Sequence, residues 1–227
     1  MTRRPTCRSP LAGDALEAGR PGHSSVENRD SQKQQHRPRA GSYVSTRGVA
    51  PAVPIGQAIA AGLAPDGGLY VPESLPQLDP ATFDPHGTLT DTAATLLAPF
   101  FAGDALADEL PTICAEAFTF DTPLRALPAH PGTLMLELFH GPTSAFKDIG
   151  ARFLAACLRR LPRSDARPLT ILVATSGDTG AAVAAAFHRQ PDVRVVILYP
   201  DGRVSPRQAH QLGCFGDNVT ALRVAGR

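Results

Sequence analysis

Lysine is almost missing from this sequence. Lys33 and Lys147 are the two in 227 residues, against twenty arginines among the 22 basic side chains. Cysteine is scarce as well. Cys7, Cys114, Cys157 and Cys214 form no CxxC pair and match no zinc spacing, so no metal site is expected. Reduced thiols of this kind fit the cytoplasm. No apolar run approaches the ~20 residues of a membrane span. Arg3 and Arg4 are not followed by the apolar core that a signal peptide needs. The formal net charge of +1 gives no push toward nucleic acid or a membrane surface, and neither is expected as a partner. Neither a Walker loop nor a GxGxxG fingerprint occurs.

What is present changes character along the chain. Residues 1–41 carry a local basic surplus and almost no large apolar side chains, so they are expected to be disordered. From Tyr43 onward globular patterning begins. Ile55, Ile59 and Leu63 recur at helical spacing over 53–63. A Pro-Asp-Gly-Gly turn then leads to a short strand at Leu69–Val71, and a Pro-rich connection runs to about Pro85. Helices are expected over 89–103, capped by Thr90 or Asp91 and kinked at Pro99, and over 105–118.

Beyond Pro123 the rhythm becomes strand, turn, helix. Strands are expected at 133–140, 169–176, 193–200 and 218–224. Helices are expected at 144–161, 179–190 and 205–213, the last capped by Ser205 with Pro206 in its first turn. Phe146, Ile149, Phe153 and Leu154 share a face of the helix over 144–161, and Phe146 and Phe153 read as core residues. Near-continuous apolar strands alternating with helices imply an α/β fold, a parallel sheet flanked by helices on both faces. Ligands of such sheets bind at the carboxyl ends of the strands.

Two strand-end loops could carry chemistry. "TSGDTG", Thr175 to Gly180, follows a buried strand and opens a helix. Unpaired amides at a helix start favour an anion, and Ser176 and Thr179 add hydroxyls. The alternative stays open that Asp178 caps the helix and the glycines turn the chain. The second loop is "HGPTSAFKDIG", 140–150, which holds Lys147. A lysine at a helix start in an apolar setting has its charged form disfavoured. A neutral amine can form an imine with an aldehyde such as pyridoxal phosphate, whereas a guanidinium stays protonated. A solvated surface lysine is the competing reading. Asp148 either orients Lys147 or stabilises the helix N-terminus, and the latter is favoured. His140 as a proton donor and Arg203 as a phosphate ligand both yield to structural readings.

Five stretches, taken together and in order, resemble the threonine synthase family: "YVSTRG" (43–48), "IGQAIAAGLAPDGGLYVPESLP" (55–76), "LELFHGPTSAFKDIGARFLA" (136–155), "LVATSGDTGAAVAAAF" (172–187) and "ILYPDGRVSPRQAHQL" (197–212). "FHGPTSAFKD" with "TSGDTG" about thirty residues later is the specific pair. The resemblance implies a tryptophan-synthase-β-like fold, fold type II among pyridoxal-phosphate enzymes, with a smaller N-terminal domain. After the tail at 1–41 that composition marks as disordered, it implies an N-terminal domain at 42–120 and an incomplete cofactor domain at 121–227. It implies pyridoxal 5'-phosphate as cofactor, bound through Lys147 beside Phe146. Ser176, Gly177, Asp178 and Thr179 would receive the substrate's α-carboxylate. The implied reaction turns O-phospho-L-homoserine and water into L-threonine and phosphate. The matched region is about half a family member's length, so a C-terminally truncated form is expected, with an unfinished sheet. Two alternatives remain: a non-catalytic fragment, or another lyase of this fold such as a serine/threonine dehydratase. No oligomeric state is implied.

Overall fold

The computed structural model describes residues 41–163 and 167–225. These belong to one compact unit, Pro38–Arg227. The expected disorder of the N-terminal tail falls, apart from Gly41, outside the described residues.

The first part of the unit is built on three short antiparallel strands, in the order β2-β1-β3: β1 (Ser42–Ser45), β2 (Val53–Pro54) and β3 (Tyr70–Pro72). The carboxylate of Asp66 ties their loops together. It accepts from the Ser45 hydroxyl at 2.7 Å and from the amides of Gly68, Val49 and Ala50. Those donors, the Ser45 hydroxyl first, hold Asp66 down at about 2. Helix α1 (Ile55–Ala61) ends at Gly62, whose amide returns to Ala58. Leu63 therefore lies beyond the helix and is exposed, not on the buried face its spacing suggests.

Helix α2 (Leu89–Leu97) is capped by Thr88 rather than Thr90 or Asp91. Thr88 and Asp91 form a reciprocal capping box, with the Asp91 amide on the Thr88 hydroxyl and the Thr88 amide on the Asp91 carboxylate. Pro99 does not kink this helix. It sits in the first turn of a separate 3-10 segment, Ala98–Phe101, where its missing N–H costs nothing. Helix α3 (Leu110–Ala117) starts later than the pattern suggests.

The segment expected as a strand of the parallel sheet, 133–140, does something else. Only Leu134–Leu136 is extended (β5), and it pairs antiparallel with β4 (Leu124–Ala126) as an exposed hairpin. Helix α4 (Lys147–Arg160) follows. The parallel sheet has the order β6-β7-β8, from β6 (Leu169–Ala174), β7 (Val193–Pro200) and β8 (Val219–Val224). Helices α5 (Asp178–Phe187) and α6 (Pro206–Gly213) make the two crossovers.

Sequential right-handed crossovers carry their helices to the same side of a sheet. Ala181, Ala184 and Phe187 of α5 and Leu212 of α6 accordingly share one core with Val195, Ile197, Tyr199 and Val219. The opposite face is open, with Leu172, Leu222 and Val224 exposed. The expectation of helices on both faces is thus corrected for the described residues. Parallel strands written as continuous apolar runs do not reveal which face is covered.

Helix α4 stands between two cores. Ala156 and Cys157 pack with Phe101, Leu110, Ile113 and Cys114, while Ala155 packs with α5 and the sheet. Arg152 donates to the carbonyls of Ala117 and Glu116 at the end of α3, where a cation meets the negative end of the helix dipole. Arg160 binds Glu116 at 2.7 Å and Glu109 at 3.1 Å. Glu116 is held down at about 2, first by Arg160. The Cys157 thiol is pushed up to about 12, first by burial. Cys114, Cys157 and Cys214 are all free. No helix among the described residues is long and apolar enough to cross a membrane.

Candidate active site

Lys147 is the first residue of α4 and lines an open groove between α4 and α5. The groove has a volume of about 450 Å³ and is walled by Phe146, Ile149, Leu154 and Val183, with Thr179 at its edge. The Lys147 ammonium lies 4.2 Å from the centre of the Phe146 ring. Such a contact at an accessible site contributes about 0.5–1 kcal/mol. Among the described residues no carboxylate pairs with this lysine. Phe146 is exposed rather than a core residue, because it precedes α4 and faces the groove mouth. Phe153 does pack inward, edge-on to Phe101 and stacked on Phe118.

Asp148 turns the opposite way. It is completely buried and accepts both the amide and the hydroxyl of Thr143, at 2.9 and 2.7 Å. It does not pair with Lys147, and it stands in the first turn of α4, where an acid favours the helix N-terminus, without capping it. It closes the loop that delivers Lys147. A side chain at Gly141 would meet the Asp148 carboxylate at 2.5 Å, which is why glycine stands there.

The second loop is tied by a different device. Gly177 and Gly180 donate their amides to the Thr175 hydroxyl at 3.0 and 3.1 Å. Two of the loop's backbone donors are therefore already used, and those of Ser176, Asp178 and Thr179 have no such tie. Gly177 has φ 148°, a conformation that excludes most side chains, and a Cβ there would also meet the Gln208 amide at 2.4 Å. Asp178 does not cap α5. Its carboxylate accepts from Gln208 Nε2 at 3.0 Å, while Gln208 Oε1 accepts from the Ser205 amide. One side chain thus completes the α6 capping box and holds Asp178.

Of the residues singled out in the sequence, Lys147, Phe146 and Thr179 line one groove. Ser176 is exposed on the loop before α5, and Gly177 is buried beneath Gln208. His140 is occupied by Glu137 at 2.8 Å and stacks on Phe139. Arg203 is exposed. Sequence reasoning missed Thr143, Thr175 and Gln208. For Gln208 the signal was legible, since Ser205 and Gln208 have capping-box spacing. No metal-ligating cluster occurs among the described residues.

An amine without a carboxylate partner, at the mouth of an apolar groove, fits an aromatic aldehyde cofactor. Comparison with known proteins points the same way. Residues 42–118 match the family model described as threonine synthase N terminus, and residues 116–226 match that of pyridoxal-phosphate dependent enzymes. The threonine synthase of Escherichia coli (strain K12) is 40% identical over 176 residues, 77% of this chain and 40% of its own. That of Saccharomyces cerevisiae is 37% identical over 205 residues, 81% of this chain and 40% of its own. The X-ray structure of a PLP-bound threonine synthase from Brucella melitensis superposes with a TM-score of 0.71 at 38% identity. It covers 82% of this chain and 41% of that one. The chain therefore spans about 40% of the length of the curated relatives it matches.

Proposed function

The chain belongs to the pyridoxal-phosphate-dependent enzymes over 116–226 and carries the threonine synthase N terminus at 42–118, and from that premise we propose that it supplies the reactive lysine and the carboxylate loop of a threonine synthase. The reaction is conversion of O-phospho-L-homoserine and water to L-threonine and phosphate. One observation carries the reading: the Lys147 amine, free of any carboxylate among the described residues, shares its groove with Thr179 of the "TSGDTG" loop.

Lys147 is the residue that holds the cofactor, with Phe146 beside it. When bound, pyridoxal phosphate supplies an electron sink for the substrate's α carbon. The Lys147 amine then takes and returns protons at the substrate's α and β carbons, which demands an amine that can gain and lose its proton. Ser176 and Thr179 offer hydroxyls, and Asp178 and Thr179 offer amides, to the substrate's α-carboxylate at the positive end of α5. Gly177 lets the backbone approach closely. Ile149, Leu154 and Val183 give the open groove beside the amine its apolar wall.

The domain division at 120/121 belongs to this proposal, supported by the junction of the two family matches near 116–118. So does a cytoplasmic location, supported by the free thiols.

The test has two stages. The purified chain is mixed with pyridoxal phosphate, reduced with borohydride, and mapped by mass spectrometry. Label on Lys147 supports the assignment; label confined to Lys33 removes it. Phosphate release from O-phosphohomoserine is then compared with Lys147→Ala. Loss of at least ~10³-fold in rate is expected. Equal rates would rule the mechanism out, and label without turnover would favour a chain that binds but does not catalyse alone.

A further inference from the structure

Lys147 and Asp148 are neighbours whose side chains diverge, one to the groove and one to the interior. We propose that Asp148, clamped by Thr143, is a positioning residue that sets where the Lys147 amine enters the groove. The inference rests on the reading of Lys147 as the cofactor-holding amine.

A carboxylate removed from water is costly unless its oxygens are satisfied. Asp148 is completely buried, and both its oxygens are engaged by a single residue, Thr143. Among the described residues no cation pairs with it. An acid in the first turn of α4 favours the positive end of the helix dipole. Its oxygens, however, are spent on Thr143 and not on the free amides of the helix start. The two bonds instead close a ring over residues 143–148.

Within that ring the backbone is heavily determined. Ser144 donates to Gly141 at 3.0 Å with φ at 58°, and Asp148 donates to Ala145 at 3.0 Å. Gly141 lies against the Asp148 carboxylate from the other side. Lys147 sits between the clamp and the helix, so its Cα has little freedom. Its Nζ, four bonds beyond Cβ, inherits that placement. Neither Thr143 nor Asp148 lines the groove. Their effect on the amine is exerted through the loop.

The scarcity of lysine supplies the assay. Pyridoxal phosphate condenses with an amine by losing water, and borohydride then adds hydride to the imine carbon while solvent water supplies the proton on nitrogen. Label on Lys33 is read in the same tube, and changes between variants in the ratio of label on Lys147 to label on Lys33 read positioning. Thr143→Val keeps shape and the backbone bond but removes the hydroxyl. It should lower the ratio about tenfold, while Thr143→Ser should restore it to within about twofold. Gly141→Ala, whose methyl presses on the Asp148 carboxylate, should lower the ratio in the same direction. Urea midpoints measured alongside separate loss of fold from loss of placement. A wild-type preference for Lys147 that Thr143→Val and Gly141→Ala leave unchanged overturns this inference alone. Equal labelling of the two lysines in the wild type overturns the cofactor reading, and this inference with it.

Discussion

The two loops beside the groove are held by opposite means. Gly141–Lys147 is fastened by a buried charge: Asp148, sealed from solvent, gathers the amide and hydroxyl of Thr143. Thr175–Gly180 is fastened by a neutral hydroxyl, Thr175, and its one charged side chain is tethered outside by Gln208. The difference fits the role proposed for each loop. The first offers a single long side chain, whose tip is placed only as well as its root. The second offers backbone amides, which need a close approach and an open surface. A buried anion there would take up the amides meant for a ligand.

Removing each fastener in turn probes this contrast. Asp148→Ala should cost the most, about 3 kcal/mol, because two donors are left unsatisfied in the interior. The urea midpoint should fall with the slope unchanged. A loss under about 1 kcal/mol would mean that the interior there admits water, and the contrast between the loops would vanish. Thr175→Val should cost less, about 1.5 kcal/mol, since the acceptor lost is a neutral hydroxyl and not a carboxylate. Amide exchange at Gly177 and Gly180 should speed up while that at Thr143 stays slow. If both loops exchange together, they form one cooperative unit rather than two. Gln208→Met should cost least, roughly 0.5–1 kcal/mol, for one cap contact and one exposed bond to a carboxylate. Its signature is an Asp178 signal that becomes mobile by NMR with the rest of α5 unchanged.

Part of this was readable in the chain. The "SPRQ" start of α6 names its own cap, first turn and return bond, and the structure has all three. Strands β6, β7 and β8 lie within a residue or two of their apolar runs, because four to eight apolar residues between turn signals leave few alternatives. Other features were not readable. β1 and β2 are too short to show a period, and they exist through the partners they find across intervening turns. Leu134–Leu136 has the composition of a core strand and becomes an exposed hairpin, because pairing is chosen by the neighbour and not by the segment. Phe146 is apolar, and apolarity alone does not separate a core residue from the wall of a groove.

The candidate site divides in the same way. That Lys147 offers an amine, and that "TSGDTG" opens a helix, depends on residue type and local spacing, which a sequence states directly. Chemical capacity is a property of the side chain, and helix starts are set within a few residues. The sequence by itself therefore determined which groups are available, and, through the family pattern, which chemistry they suit. Tertiary structure alone decided the rest: that Asp148 faces away from Lys147, that Thr175 uses two of the loop's amides, that Gln208 restrains Asp178, and that one face of the sheet is open. Each depends on contacts between residues up to thirty positions apart. Their distances are fixed only once α4, α5 and the strands have packed.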